Sequence, residues 1–153
     1  MIINTNDIAV VRNKIKNDKK SIVFTNGCFD ILHRGHASYL NQAKSLGDNL
    51  IVGVNSDRSV RALKGESRPV NNESDRAFLI DNLKSVDYVI IFDEDTPYNL
   101  IREIQPDFLV KGGDWKEEDI VGWDIVKESG GKVLSLKFIE NYSTTNTIKK
   151  LNG

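Results

Sequence analysis

The sequence predicts an α/β fold built on a doubly wound parallel sheet, and two patterns point to it. Short, wholly apolar runs recur along the chain, as expected of strands buried on both faces. Between them lie segments whose apolar residues return every three or four positions, the spacing of an amphipathic helix. Strand and helix alternate throughout. Right-handed crossovers then restrict the topology to a five-stranded, Rossmann-like sheet with helices on both faces.

Taken in order, the first helix is expected over residues 7–17, with Asp7 at its start and lysines near its end. The first strand follows at residues 21–25 (SIVFT), then a helix over 35–46 and a second strand at 50–54 (LIVGV). After a short helical piece comes the polar connection KGESRPVNN at 64–72, whose Gly65 and Pro69 mark a surface loop. A helix over 74–84 leads to a third strand at 88–92 (YVIIF), and a helix over 97–104 leads to a fourth at 108–111 (FLVK). The last helix and strand fall at 117–128 and 133–136 (VLSL). No repeat, low-complexity stretch or Gly/Ser/Pro-rich linker divides the chain, so residues 1–153 read as one domain.

Composition excludes several classes of function. With 21 Lys plus Arg against 22 Asp plus Glu, the net charge of −1 lacks the basic excess of a protein held to a nucleic-acid backbone. The single cysteine, Cys28, rules out a disulfide scaffold. The opening MIINTNDIAVVRNK has neither the apolar core of a signal peptide nor a membrane span, and the expected compartment is the cytoplasm, with no membrane partner.

In an open parallel sheet, ligands bind beyond the carboxyl ends of the strands, near the point where strand order reverses. After the first strand the chain reads TNGCFDILHRGH from Thr25 to His36 and holds both of its histidines. His33 and His36, three apart at a helix start, share one side and can address one ligand, while Gly35 lets a phosphate approach the backbone. The free N–H groups and the positive dipole end of that helix favour an anion. Cys28, Asp30, His33 and His36 have metal-ligand side chains, but C-x4-H-x2-H matches no common zinc spacing, and no metal is assigned to them. Cys28 reads as a small residue packed at the strand end rather than a catalytic thiol.

Four further segments fall where a ligand would lie. Lys111-Gly112-Gly113-Asp114-Trp115 follows the fourth strand, where paired glycines permit close backbone approach and Lys111, Asp114 and Trp115 can line a polar pocket. Asn55-Ser56-Asp57 follows the second strand, and Arg76 lies in the first turns of the next long helix. Ser143, Thr144 and Thr145 precede a helical run, where hydroxyls serve as N-caps or, with free N–H groups, as an anion cradle.

The string G-x-F-D-x-x-H-x-G-H, from Gly27 to His36, resembles the signature of the cytidylyltransferase-like nucleotidyltransferases, which place H-x-G-H after their first strand. The resemblance implies nucleotidyl transfer, in which an acceptor phosphate oxygen attacks the α-phosphorus of a nucleoside triphosphate and pyrophosphate leaves. Such a displacement needs donors and cations that position the reactants and stabilise charge, not a covalent nucleophile. By similarity, His33, His36 and Lys44 are the catalytic residues. Asn26, Gly27, Cys28, Phe29, Gly35, His36, Asn55, Asp57 and Arg76 would surround the nucleotide, with Ser143, Thr144 and Thr145 on its β- and γ-phosphates. One departure stands out: relatives carry an arginine shortly before the Ser/Thr motif, whereas this chain reads KFIENY from Lys137 to Tyr142.

Longer strings narrow the resemblance. LKGESRPVN, DYVIIFDEDTP, VKGGD and EEDIVG look like the heptose-1-phosphate adenylyltransferases of ADP-heptose synthesis. That family implies transfer of AMP from ATP, accompanied by Mg²⁺, to D-glycero-β-D-manno-heptose 1-phosphate. It assigns Asp30, Lys64, Lys111, Gly112, Gly113, Asp114 and Trp115 to the acceptor, and it implies a homodimer. In many Gram-negative bacteria this activity is the C-terminal part of a bifunctional protein with a kinase part, so the chain resembles a stand-alone transferase served by a separate heptose 7-phosphate kinase. Glycerol 3-phosphate with CTP, or another sugar phosphate, is the alternative substrate pair, and a nucleotide-binding regulatory module is the alternative without catalysis.

Overall fold

The computed structural model describes residues 1–153. Its elements run β1 (Ile2–Ile3), α1 (Ile8–Asn17), β2 (Ile22–Gly27), α2 (Arg34–Lys44), β3 (Asn49–Asn55), α3 (Asp57–Lys64), α4 (Glu73–Asp81), β4 (Tyr88–Phe92), α5 (Tyr98–Ile104), β5 (Phe108–Gly112), α6 (Trp123–Glu128), β6 (Lys132–Leu136) and α7 (Thr144–Leu151). All strands pair in parallel, in the order β1-β4-β3-β2-β5-β6. Strand order therefore reverses at β2, whose two neighbours are β3 and β5.

The sheet has six strands rather than five. The additional strand, β1, is two residues long and exists through its pairing with β4, Ile2 against Val89 and Ile3 against Ile90. A dipeptide carries no periodicity from which a strand could be read. The helix expected over 117–128 is also broken. Glu117–Asp119 forms a single 3-10 turn, and α6 begins only after Gly122, whose φ of 89° is in the left-handed region. A Cβ there would stand 2.7 Å from Ile101 Cδ1, so this close approach needs glycine.

Each face of the sheet has its own core. Ile22, Phe24, Ile51, Ile90 and Leu109 point one way and pack with residues of α1, α5 and α6. Val23, Leu50, Val52, Val89 and Val110 point the other way, onto Tyr39, Leu40 and Ala43 of α2 and Ala77 and Ile80 of α4. This alternation follows from the two-residue period of a strand, and it fixes the register that brings the ends of β2, β3 and β5 together. No helix is long and apolar enough to cross a membrane.

Candidate active site

Beyond those strand ends lies a cavity of about 740 Å³, walled by the β2–α2 loop, the end of α3, the loop after it, the end of β5 and the start of α7. The β2–α2 loop is held in an uncommon shape: Phe29 and Ile31 both have φ of 50°, a left-handed conformation that costs side-chain-bearing residues about 1–3 kcal/mol each. Asp30, between them, holds this shape. Its carboxylate, buried at 0% exposure, accepts from Arg68 Nε at 2.9 Å and from the amides of Val70 and Asn71 at 2.8 and 3.0 Å. Burial pushes the carboxyl's pKa up, but these donors outweigh it and hold the group below the usual carboxylate range.

The loop delivers His33 and His36 to the start of α2. Their rings stack with centroids 3.7 Å apart and 16° between planes, and Phe29 meets His36 edge-on at 5.5 Å. The main-chain N–H of His33 donates to His36 Nδ1 at 3.3 Å, so a neutral His36 carries its proton on Nε2 as a donor. Burial, with a smaller contribution from His33, pushes the pKa of His36 down to about 4. Burial also lowers that of His33, whose Nδ1 is enclosed and has no partner within the protein. Gly35 makes the packing possible, since a Cβ there would lie 2.8 Å from Tyr142 Cβ and 2.9 Å from His33 Cε1.

Across the cavity, Ser143 caps α7, its Oγ accepting from the amide of Asn146 at 3.4 Å. Thr144 Oγ1 donates to the carbonyl of Asp30 at 2.6 Å, so the hydroxyl proton is committed and the main-chain N–H groups are left to receive an anion. Lys64, Arg68 and Lys111 bring positive charge to the same space from three segments of chain. Burial raises the Cys28 thiol pKa even though Lys64, Arg76 and Arg68 oppose it, so this cysteine is not an activated nucleophile. Burial likewise lowers the pKa of Lys111, whose Nζ sits 5.3 Å from the centre of the Trp115 ring.

The structure therefore brings together Asn26, Gly27, Cys28, Phe29, His33, Gly35, His36, Asn55, Lys64, Lys111, Gly112, Ser143, Thr144 and Thr145 around one space. Other expected site residues sit elsewhere. Lys44 lies at the opposite, amino end of the sheet, where its Nζ bonds Asp87 Oδ2 and the carbonyl of Asp48, both at 2.5 Å. It is eight residues beyond His36, which at 1.5 Å per residue carries it about 12 Å down the helix. Arg76 is fully buried beneath the site and donates to the carbonyls of Cys28 (2.7 Å) and Asn71 (2.9 Å) and to Asp57 Oδ1 (2.8 Å). Arg76 and Asp57 thus brace the loops from outside the cavity lining. Asp30 lines the cavity, but its carboxylate is spent on the loop after α3 and is not free for an acceptor. Gly113, Asp114 and Trp115 stand outside the cavity, and the Trp115 indole N–H donates back to the Gly112 carbonyl at 3.2 Å.

The lining also includes residues that sequence reasoning passed over: Tyr39, Arg68, Thr96, Pro97, Phe138 and Tyr142. Arg68 carried a usable signal, being a cation beside Pro69 in the one long polar loop of the first half.

A parallel sheet that reverses order at β2, with an imidazole pair and a hydroxyl-capped helix start on one cavity at its carboxyl edge, has the architecture of a nucleotide site, and the family match makes the chain a nucleotidyltransferase. The chain belongs to the cytidylyltransferase-like family, whose model matches residues 24–150. It is 52% identical, over 99% of its length, to bifunctional protein HldE of Wolinella succinogenes, and it spans 31% of that relative. Among solved structures it is similar to a lipopolysaccharide core biosynthesis protein from Thermoplasma volcanium, with a TM-score of 0.65, 32% identity, and coverage of 81% of this chain and 99% of that one. Pantoate-beta-alanine ligase from Francisella tularensis shares the fold, with a TM-score of 0.63 at 18% identity and coverage of 99% of this chain and 76% of that one.

Proposed function

We propose that residues 1–153 act as one adenylyltransferase domain that joins ATP and D-glycero-β-D-manno-heptose 1-phosphate into ADP-heptose and pyrophosphate. The observation that carries this reading is the stacked His33–His36 pair, with the Nε2 donor of His36, on the same cavity as the N-terminus of α7. The start of α7 holds the β- and γ-phosphates. The histidines address the α-phosphate, where donors placed for the transition state lower the barrier. Lys64, Arg68 and Lys111 hold the acceptor's phosphate, one oxygen of which forms a bond to the α-phosphorus. The bond from that phosphorus to the α,β-bridging oxygen breaks, and its electron pair leaves with pyrophosphate.

Mg²⁺ fits this site as a companion of the triphosphate. The carboxylates lining the cavity are Asp30 and Asp95, each paired with an arginine, and no group of three or more His, Cys, Asp or Glu is placed to cage a metal. The ion would be held by phosphate oxygens and water and would supply charge neutralisation. The heptose acceptor is supported by the long strings shared with that family and by the Thermoplasma volcanium relative in lipopolysaccharide core biosynthesis. A kinase activity would supply the sugar phosphate.

The test is pyrophosphate release with Mg²⁺, pairing each of ATP, CTP, GTP and UTP with heptose 1-phosphate and with glycerol 3-phosphate. Release confined to ATP with heptose 1-phosphate is expected. Release with CTP and glycerol 3-phosphate would overturn the substrate, and ATP binding without release for any acceptor would favour a regulatory module.

A further inference from the structure

Asp30 bonds two separate segments of chain. Its carboxylate takes the Arg68 guanidinium and the amides of Val70 and Asn71, all in the loop between α3 and α4. Its main-chain carbonyl takes the hydroxyl of Thr144, the first residue of α7. The residue itself is pinned between the left-handed Phe29 and Ile31, so a shift of its carbonyl also turns its carboxylate. Apart from the bond from Arg76 to the Asn71 carbonyl, both segments present much of their surface to solvent. Helix α7 buries none of its residues, and Gly65, Glu66, Ser67 and Val70 of the loop are exposed.

We propose that Asp30 is a positioning residue that couples the two halves of the cavity, so that filling the phosphate cradle at α7 steadies the loop carrying Lys64 and Arg68. The labels of the two halves rest on the function proposed above. A triphosphate held by the amides of Thr144 and Thr145 fixes α7. Thr144 Oγ1 then fixes the Asp30 carbonyl, and the strained frame holds the carboxylate where its three donors meet it. Linkage makes the effect mutual: an acceptor phosphate on Arg68 and Lys64 tightens the hold on the nucleotide by the same factor.

The amides of Val70 and Asn71 report on the clamp directly, since both donate to the Asp30 carboxylate. Their hydrogen exchange should slow by about fivefold or more when the full-length protein is saturated with a non-hydrolysable ATP analogue, as the opening of a local unit becomes rarer. Thr144→Val, which removes only the hydroxyl link, should still bind the analogue by calorimetry but lose the slowing, and Thr144→Ser should restore it. Asp30→Asn should lose it as well. Slowing that persists in Thr144→Val, or that is absent from the unsubstituted protein with analogue bound, overturns the coupling. Pyrophosphate release with heptose 1-phosphate judges the functional reading separately: turnover without slowing rejects the coupling alone, and failure to bind the analogue rejects both.

Discussion

The imidazoles of His33 and His36 stack 3.7 Å apart, and the amide of the first donates to Nδ1 of the second. The contact sets which way each ring presents its nitrogens. With Nδ1 of His36 accepting, its Nε2–H becomes a fixed donor, and a donor already aimed at developing charge needs no reorganisation during reaction. His36→Ala and His33→Ala should each lower turnover at least about a hundredfold while the far-ultraviolet spectrum and thermal melt stay close to those of the parent. Near-normal pyrophosphate release from a folded His36→Ala protein would remove the pair from the mechanism.

The same burial makes a pH prediction. The pKa of His36 is held down to about 4, below the ordinary histidine value of 6.5. A depressed pKa means that the unfolded chain takes up its proton first. The contribution of His36 to stability is therefore complete above pH 6.5, declines as pH falls below that value, and is lost by about pH 4. Proton-detected titration of the free protein should show His36 neutral and protonated on Nε2 down to about that pH. A midpoint near 6.5 would contradict the enclosed, stacked geometry.

Arg76 is the brace beneath the loops. It is wholly buried, and its removal strands Asp57 and two carbonyls, those of Cys28 and Asn71. Breaking a buried pair on one side costs about 3 kcal/mol or more, so Arg76→Met should lose that much stability in urea unfolding and should lose turnover with it. A variant as stable as the parent would show that the brace carries no weight.

Lys44 gives the opposite expectation. Its partner is Asp87, and both side chains are about one-third exposed at the amino end of the sheet. Lys44→Met should leave turnover within about twofold and cost less than about 1 kcal/mol of stability, as for a surface pair. A loss of turnover comparable to that of the histidine variants would return this lysine to the site.

Lys44 also shows where a linear reading loses its hold. Strand cores such as YVIIF and the H-x-G-H turn are legible because their signals are local: two-sided apolarity for a buried strand, and His33 and His36 on one side of a helix start. Which end of the sheet a later helical residue reaches depends on the direction of the helix, and α2 runs away from the site. Arg76 and Asp30 read as ligand contacts because they match positions that the family places at its ligands. Only the folded chain shows that the partners of Arg76 are Cys28, Asn71 and Asp57, and that those of Asp30 are Arg68, Val70 and Asn71. β1 escapes for a related reason, being made by β4 rather than by its own two residues.

The most direct test of nucleotidyl transfer is to identify the phosphorus products by nuclear magnetic resonance after the protein is mixed with ATP, Mg²⁺ and heptose 1-phosphate. The account predicts a sugar diphosphate nucleotide and pyrophosphate in equal amounts, with both absent from the His36→Ala protein. ADP with a newly phosphorylated sugar would place the attack at the γ-phosphorus and contradict the assignment of the histidine pair to the α-phosphate.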